Sequence, residues 1–283
     1  MFRRERNKKI ANETMKIIET GKYISDNNKS VDISNEISKC IVNSKLYEPE
    51  YEFNLPPCPN RKGKIQITGE STFAACERII TFENIKKVTC LNFGSGRKPG
   101  GGFLSGAQAQ EETLARCSAL YPTLIKNEEM YVFNNNRKTN LYSDYMIYSP
   151  DVPVFRNDDN TLIDNPYMVS IITASAINLS SKFKPSNNND KERYDQVMLN
   201  RCRKIIYRAI ENNAQAIVLG AFGCGVFRNN PVDVAEYFRK LLIDEGLAKY
   251  FDLIVHPIYT KHKATDDNYK GFIHVYNDIA KIY

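Results

Sequence analysis

Apolar residues along the chain change spacing several times, and each change marks an element. Over residues 4 to 19 they recur at helical intervals. Ala11, Met15 and Ile18 fall on one side, with Ile10, Thr14 and Ile17 beside them. Gly21 supplies a C-terminal stop. A short strand is predicted over residues 29 to 33. Ser34 is the expected N-cap of a helix reaching residue 43, with Glu36 in its first turn. Residues 48 to 62 carry Pro56, Pro57 and Pro59. Proline lacks the N–H that a helix or a central strand needs, so this stretch is a connection.

From Gly63 the spacing shortens. Residues 64 to 68 alternate and predict a strand, residues 72 to 82 a helix, and residues 88 to 93 a second strand. A glycine-rich loop follows, and then a helix over residues 113 to 120. Residues 130 to 140, with Asn134, Asn135 and Asn136, are polar and predict a loop. Strands are expected over residues 144 to 149 and 167 to 174, and the run from Asn187 to Asp190 is a solvated connection. Residues 193 to 212 place Val197, Met198, Cys202, Ile205, Ile206, Ala209 and Ile210 on a wide apolar helical face. Residues 216 to 219 predict a buried strand that ends at a second glycine loop. Asn230 and Pro231 open a helix with an N-cap and a first-position proline. It would bury Val234, Phe238, Leu241 and Leu242. A strand over residues 253 to 255 and a helix over 268 to 279 close the pattern. That helix would bury Phe272, Val275, Tyr276 and Ile279. Strands alternating with helices make this an α/β chain, with a mixed sheet flanked by helices.

The chemistry concentrates in the two glycine loops, each at a strand's C-terminal end. Gly100, Gly101 and Gly102 are consecutive. Glycine loses more backbone entropy on folding than any other residue, so a triplet points to a backbone that passes close to a ligand. Bare N–H groups in such a loop can cradle an anion. Gln110, Glu111 and Glu112 follow, the two carboxylates repelling each other near a helix start that favours acidic groups. On spacing alone, a glycine turn leading into an ordinary acidic first turn explains the stretch equally well. In the second loop Gly223 and Gly225 bracket another place where N–H groups can converge. A plain strand-to-helix turn has the same pattern, and the alternative for Phe227 is a core residue. Cys224 is disfavoured as a nucleophile, because no histidine is near it in sequence. Arg97 and Lys98 could neutralise phosphate or form a solvated basic turn. Tyr148 and Phe155 could stack on a base or fill the core.

Composition narrows the setting. The 283 residues are 42% hydrophobic and 25% charged, ordinary globular values. A net charge of +6 favours an anionic ligand without demanding nucleic acid. Seven cysteines, with no C-x-x-C pair, read as reduced, packed thiols of an intracellular, cytoplasmic protein. No signal peptide or membrane span is expected. No metal-ligand spacing occurs, and no metal or cofactor is proposed.

Gly-Gly-Gly, seven residues, then Gln-Glu-Glu resembles the signature of poly(ADP-ribose) glycohydrolases. Leu91-Asn92-Phe93 before the loop, Pro99 leading into it, and the run from Leu114 to Tyr121 after it are similar to the microbial branch. The similarity extends from the first helix to about His256. It implies a macrodomain-like α/β fold with an N-terminal helical extension: one domain over 1–283, in which 1–62 packs on a core of 63–283. It implies hydrolysis of the ribose–ribose bonds of poly(ADP-ribose), with ADP-ribose as product. Partners would be the polymer or ADP-ribosylated macromolecules, with no membrane and no sequence-specific nucleic-acid binding. By position in the motif, Glu112 is the general acid/base and Glu111 orients the adjoining ribose. Gly100, Gly101, Gly102 and Gln110 would meet substrate. Gly223, Cys224, Gly225 and Val226 would hold the pyrophosphate, and Phe227 would cover the ribose. The alternatives are a non-catalytic ADP-ribose reader and a hydrolase that removes single ADP-ribose groups from protein or nucleic acid.

Overall fold

A computed structural model describes residues 2–137, 139–180 and 185–283. Eight strands form one sheet: β3 (Lys45–Tyr47), β4 (Lys64–Thr68), β5 (Val88–Phe93), β6 (Met146–Arg156), β7 (Leu162–Ala174), β8 (Ala216–Val218), β9 (Leu253–Pro257) and β10 (Lys281–Ile282). Their spatial order is β10-β4-β9-β8-β5-β7-β6-β3. The six from β10 to β7 run parallel, and β6 and β3 complete the sheet antiparallel. A separate antiparallel hairpin, β1 (Lys22–Ile24) with β2 (Ser30–Asp32), belongs to the N-terminal region.

Side chains alternate across a strand, so each central strand feeds two cores. Leu91, Ile172, Ile217 and Ile254 point to one face. There α7 (Asn188–Glu211), α8 (Pro231–Arg239) and α9 (Asp267–Tyr276) cover the sheet. Cys90, Ile171, Val218 and Val255 point to the other. That face is covered by α1 (Phe2–Thr20), α2 (Ser34–Asn43), α3 (Thr72–Thr81), α4 (Gln110–Cys117), α5 (Leu120–Lys126) and α6 (Glu129–Asn136). Parallel neighbours end at the same edge of the sheet. The loops after β5 and β8, which are adjacent strands, therefore flank one crevice.

Several expected boundaries shift for local reasons. The cap of α2 lies earlier than Ser34, since the Asp32 carboxylate accepts from the Ser34 N–H at 3.0 Å. The asparagine-rich stretch expected as a loop is helical over Glu129–Asn136, because buried Met130, Tyr131 and Asn134 lie on one of its faces. The connection expected over Asn187 to Asp190 is the start of α7. The Asn187 side chain caps that helix by accepting from the Asp190 N–H at 2.9 Å. At the end of α9, Tyr276 is buried but Ile279 is exposed, because the helix stops at Tyr276.

The proline-rich connection is tied down at both ends. Arg208 of α7 is buried beneath Tyr47, Tyr51 and Phe53, its guanidinium 4.6, 4.4 and 5.3 Å from their ring centroids. Arg61 pairs with Asp252.

Candidate active site

The site begins inside β5. Asn92 is fully buried near the end of a mostly apolar strand. Its Nδ2 donates to Thr173 Oγ1 on β7 at 3.1 Å and approaches Glu111 Oε1 at 3.5 Å. A buried amide in such a place is costly unless it is partnered, so Asn92 fixes the register between the strand end and the acid behind it.

Beyond β5 the chain turns over Ser95, whose Oγ accepts from the N–H groups of Arg97 and Lys98, both at 3.2 Å. Gly100 and Gly101 then take left-handed conformations, with φ of +65° and +57°. A β-carbon on Gly101 would lie 2.5 Å from Glu112 Oε1 and 3.0 Å from Glu111 Oε2. This position demands glycine twice over, for its dihedral and for the space. The loop's N–H groups grip the carboxylates. Ser95 donates to Glu111 Oε2 at 2.7 Å and Gly102 donates to Glu112 Oε1 at 2.8 Å. Phe103 then anchors the loop in a small core with Ala11 and Ala115.

Helix α4 starts at Gln110, so both glutamates sit in its first turn, where unpaired N–H groups and the helix dipole favour negative charge. Both are buried. Burial pushes the Glu111 carboxyl up to about 8, and the like charge of Glu112 adds to the shift. Hydrogen bonds from Ser95, Asn92 and Gly100 pull the other way without cancelling it. The carboxyl pair therefore keeps a proton at neutral pH. Glu112 Oε2 is buried and has no hydrogen-bond partner among the described residues.

The second loop faces this pair. Its Cys224 N–H donates to Ala221 O at 3.1 Å, whereas no described residue accepts from the N–H groups of Gly223, Gly225, Val226 or Phe227. Asn229 braces the loop from behind, donating to Gly223 O at 3.0 Å and Ile177 O at 2.8 Å. Helix α8 follows, capped by the Asn230 side chain. Contact of Phe93 with Phe222, ring centroids 5.8 Å apart, holds the two strand ends together. Between the loops lies a cleft of about 680 Å³. Gly101, Gly102, Glu111 and Glu112 form one side, and Val226 and Phe227 the other. That volume suits a ligand of nucleotide size. Phe227 leans on Tyr142 at 5.8 Å. The segment carrying Tyr142 is pinned by buried Arg201, which pairs with Asp144 at 2.9 Å and donates to Leu141 O at 2.9 Å.

Comparison with known proteins bears on this arrangement of loops and carboxyls. The model of the microbial-type PARG catalytic domain matches residues 11–157. The poly(ADP-ribose) glycohydrolase of Thermomonospora curvata is 36% identical, with a TM-score of 0.86 over 96% of this chain and 100% of that one. The same enzyme bound to the inhibitor ADP-HPD gives a TM-score of 0.85 over 96% and 99% of the two chains, again at 36% identity. The Deinococcus radiodurans enzyme in complex with ADP-ribose is 34% identical, with a TM-score of 0.77 over 87% of this chain and 98% of that one. The chain belongs to the microbial-type poly(ADP-ribose) glycohydrolases. Among curated proteins, none matches it.

The residues expected from the glycohydrolase signature divide into those on the cleft and those behind it. Gly101, Gly102, Glu111, Glu112, Val226 and Phe227 line it. Gly100 lies behind, where a β-carbon would come 2.9 Å from the Tyr121 ring. Gln110 lies behind the cleft, its amide engaged by β5 and α3. Its Oε1 accepts from the Phe93 N–H at 2.9 Å, while its Nε2 donates to Leu91 O at 2.7 Å and Thr72 Oγ1 at 3.2 Å. It clips the start of α4 to the end of β5 and so positions the glutamates. Gly223 is packed against Ala176 and Asn229, and Gly225 is exposed with open space beside it. Burial pushes the Cys224 thiol up to about 12, so it is no nucleophile at neutral pH. Lys98 lines the cleft and Arg97 lies exposed beside Tyr142. Tyr148 and Phe155 are buried in the two cores. The roles of Asn92, Ser95, Tyr121 and Tyr142 are not evident from motif spacing. Only Asn92 leaves a trace, as an amide inside a mostly apolar strand.

Proposed function

We propose that this cleft hydrolyses the ribose–ribose glycosidic bonds of poly(ADP-ribose), with Glu112 moving the proton. The observation that carries the reading is the buried carboxyl pair, with Glu112 Oε2 unpartnered beside the cleft. Breaking an acetal needs a proton on the leaving oxygen and stabilisation of an oxocarbenium-like centre. Two interacting carboxyls titrate as a unit, and this pair retains one proton at neutral pH. Glu112 Oε2 is free to deliver it, because every other oxygen of the pair is engaged by the loop or by Asn92. Once the leaving unit departs, the Glu112 carboxylate can accept a proton from the attacking water. Glu111 orients the adjoining ribose. The free N–H groups of the second loop suit the pyrophosphate, and Phe227, backed by Tyr142, suits a ribose face. The ADP-ribose and ADP-HPD bound by the two relatives support an ADP-ribose unit as the kind of ligand this cleft takes.

The test is to incubate the protein with labelled polymer and, separately, with mono-ADP-ribosylated protein, and to detect free ADP-ribose. Release from polymer is expected. Release from the mono-ADP-ribosylated substrate alone would move the activity to a different bond. Tight ADP-ribose binding without release from either would make the protein a reader.

A further inference from the structure

We infer that the first two turns of α1 form a docking surface for the polymer beyond the unit held in the cleft. The inference rests on the glycohydrolase reading above and extends it to the substrate's neighbouring units. Arg3, Arg4, Arg6, Lys8 and Lys9 are all exposed, and Glu5 is the only acidic residue in the helix's first turn. Among the described residues no carboxylate pairs with any of these cations. The helix's one ion pair, Glu13 with Arg156 at 2.8 Å, lies further along it.

This charge sits at the rim of the cleft. The Arg4 Nε donates to Ser105 O at 3.0 Å, and Ser105 lines the cleft. The buried Asn7 side chain donates to Gln108 Oε1 at 2.9 Å. The helix backbone touches the loop so closely that a β-carbon on Gly106 would fall 2.2 Å from Arg4 O and 3.1 Å from Lys8 N. The catalytic loop is thus a thin wall, with the carboxyl pair on one side and the basic helix on the other. Lys98 adds a cation on the cleft side.

Buried acids are not what such a surface serves, because it points to solvent. A substrate that repeats a pyrophosphate in every unit is a polyanion. When its end enters the cleft, its next phosphates must leave over the rim. Exposed, unpaired cations there raise the local concentration of such a chain, and they do so most at low salt. Monomeric ADP-ribose, contained in the cleft, gains nothing from them. The basic turns therefore bias the enzyme toward polymer over single units.

The experiment replaces Arg3, Arg6 and Lys8 together with Gln. None of the three makes a side-chain hydrogen bond among the described residues, and Arg4 is left in place to hold the loop. Binding of fluorescent polymer and of ADP-ribose is measured in a Glu112→Gln background, and the KM for polymer in the otherwise wild-type chain, each across a salt series. A loss of polymer affinity of about tenfold at low salt is expected, with a flatter salt dependence and unchanged ADP-ribose affinity. The single reversal Lys8→Glu should act in the same direction and guards against loss of folding in the triple variant. Intact wild-type cleavage with polymer affinity and KM unchanged in both variants overturns this proposal alone. Equal losses for polymer and ADP-ribose also overturn it, since they would place the effect in the cleft. Competition by duplex DNA as strong as that by polymer would make the surface a nucleic-acid site instead. A wild-type protein that neither binds nor cleaves polymer overturns the glycohydrolase reading, and this proposal with it.

Discussion

Glu112→Gln should slow release of ADP-ribose from polymer by about a hundredfold to ten-thousandfold, the usual cost of losing general acid–base catalysis. The amide has the shape of the carboxyl, and its oxygen can still accept from the Gly102 N–H that now holds Oε1 at 2.8 Å. It cannot protonate a leaving oxygen or take a proton from water. The N–H groups proposed to hold the phosphates lie on the opposite loop, so ADP-ribose affinity should be retained. Turnover by single-turnover kinetics and affinity by calorimetry separate the two effects. Retained turnover, or affinity lost in step with rate, would remove Glu112 from the role given to it. Glu111→Gln should cost less, because the amide keeps the shape of a side chain that only orients the ribose.

Gly101→Ala is expected to be almost as damaging, although it removes no functional group. A non-glycine residue at a φ of +57° costs about 1–2 kcal/mol of stability. The larger effect is on geometry. The new β-carbon would lie 2.5 Å from Glu112 Oε1, and one or the other must move. A shift of about an ångström in a catalytic group costs about a hundredfold in rate. Gly246→Ala is the matched control. It has a similar φ of +74° with nothing near the added carbon, so it should lower Tm comparably and leave kcat alone. If Gly101→Ala lost only stability, the close fit of loop to carboxylate would have no part in catalysis.

Much of this architecture can be read from the chain because neighbouring residues determine it. Strand β5, its glycine loop and the paired glutamates are local patterns, and so are the proline and asparagine that open α8. Local composition misleads where distant contacts override it. The run Asn134-Asn135-Asn136 reads as loop, yet α6 forms there because Met130 and Tyr131 are buried against the sheet. Helix α4 begins at Gln110 instead of residue 113, because the Gln110 side chain bonds to β5 and fixes the helix start. Motif position assigns Glu112 the acid's role but gives no hint that burial acts most strongly on Glu111, since that depends on Asn92, Ser95 and the loop that closes over both. Phe227 could be read as core or cleft from sequence. Only the packing of Tyr142, which lies 85 residues earlier in the numbering, decides which side of its ring stays open.

The pH dependence of single-turnover polymer cleavage tests most directly the claim that a shared proton on a buried carboxyl pair does the work. Activity requires that proton, so it should persist below the raised value of about 8 at Glu111 and fall as pH rises through it. Glu111→Gln removes the carboxyl whose burial sets that value. The mutant's basic limb should no longer lie near 8, while ADP-ribose affinity is kept. Coincident limbs in wild type and mutant would contradict the account.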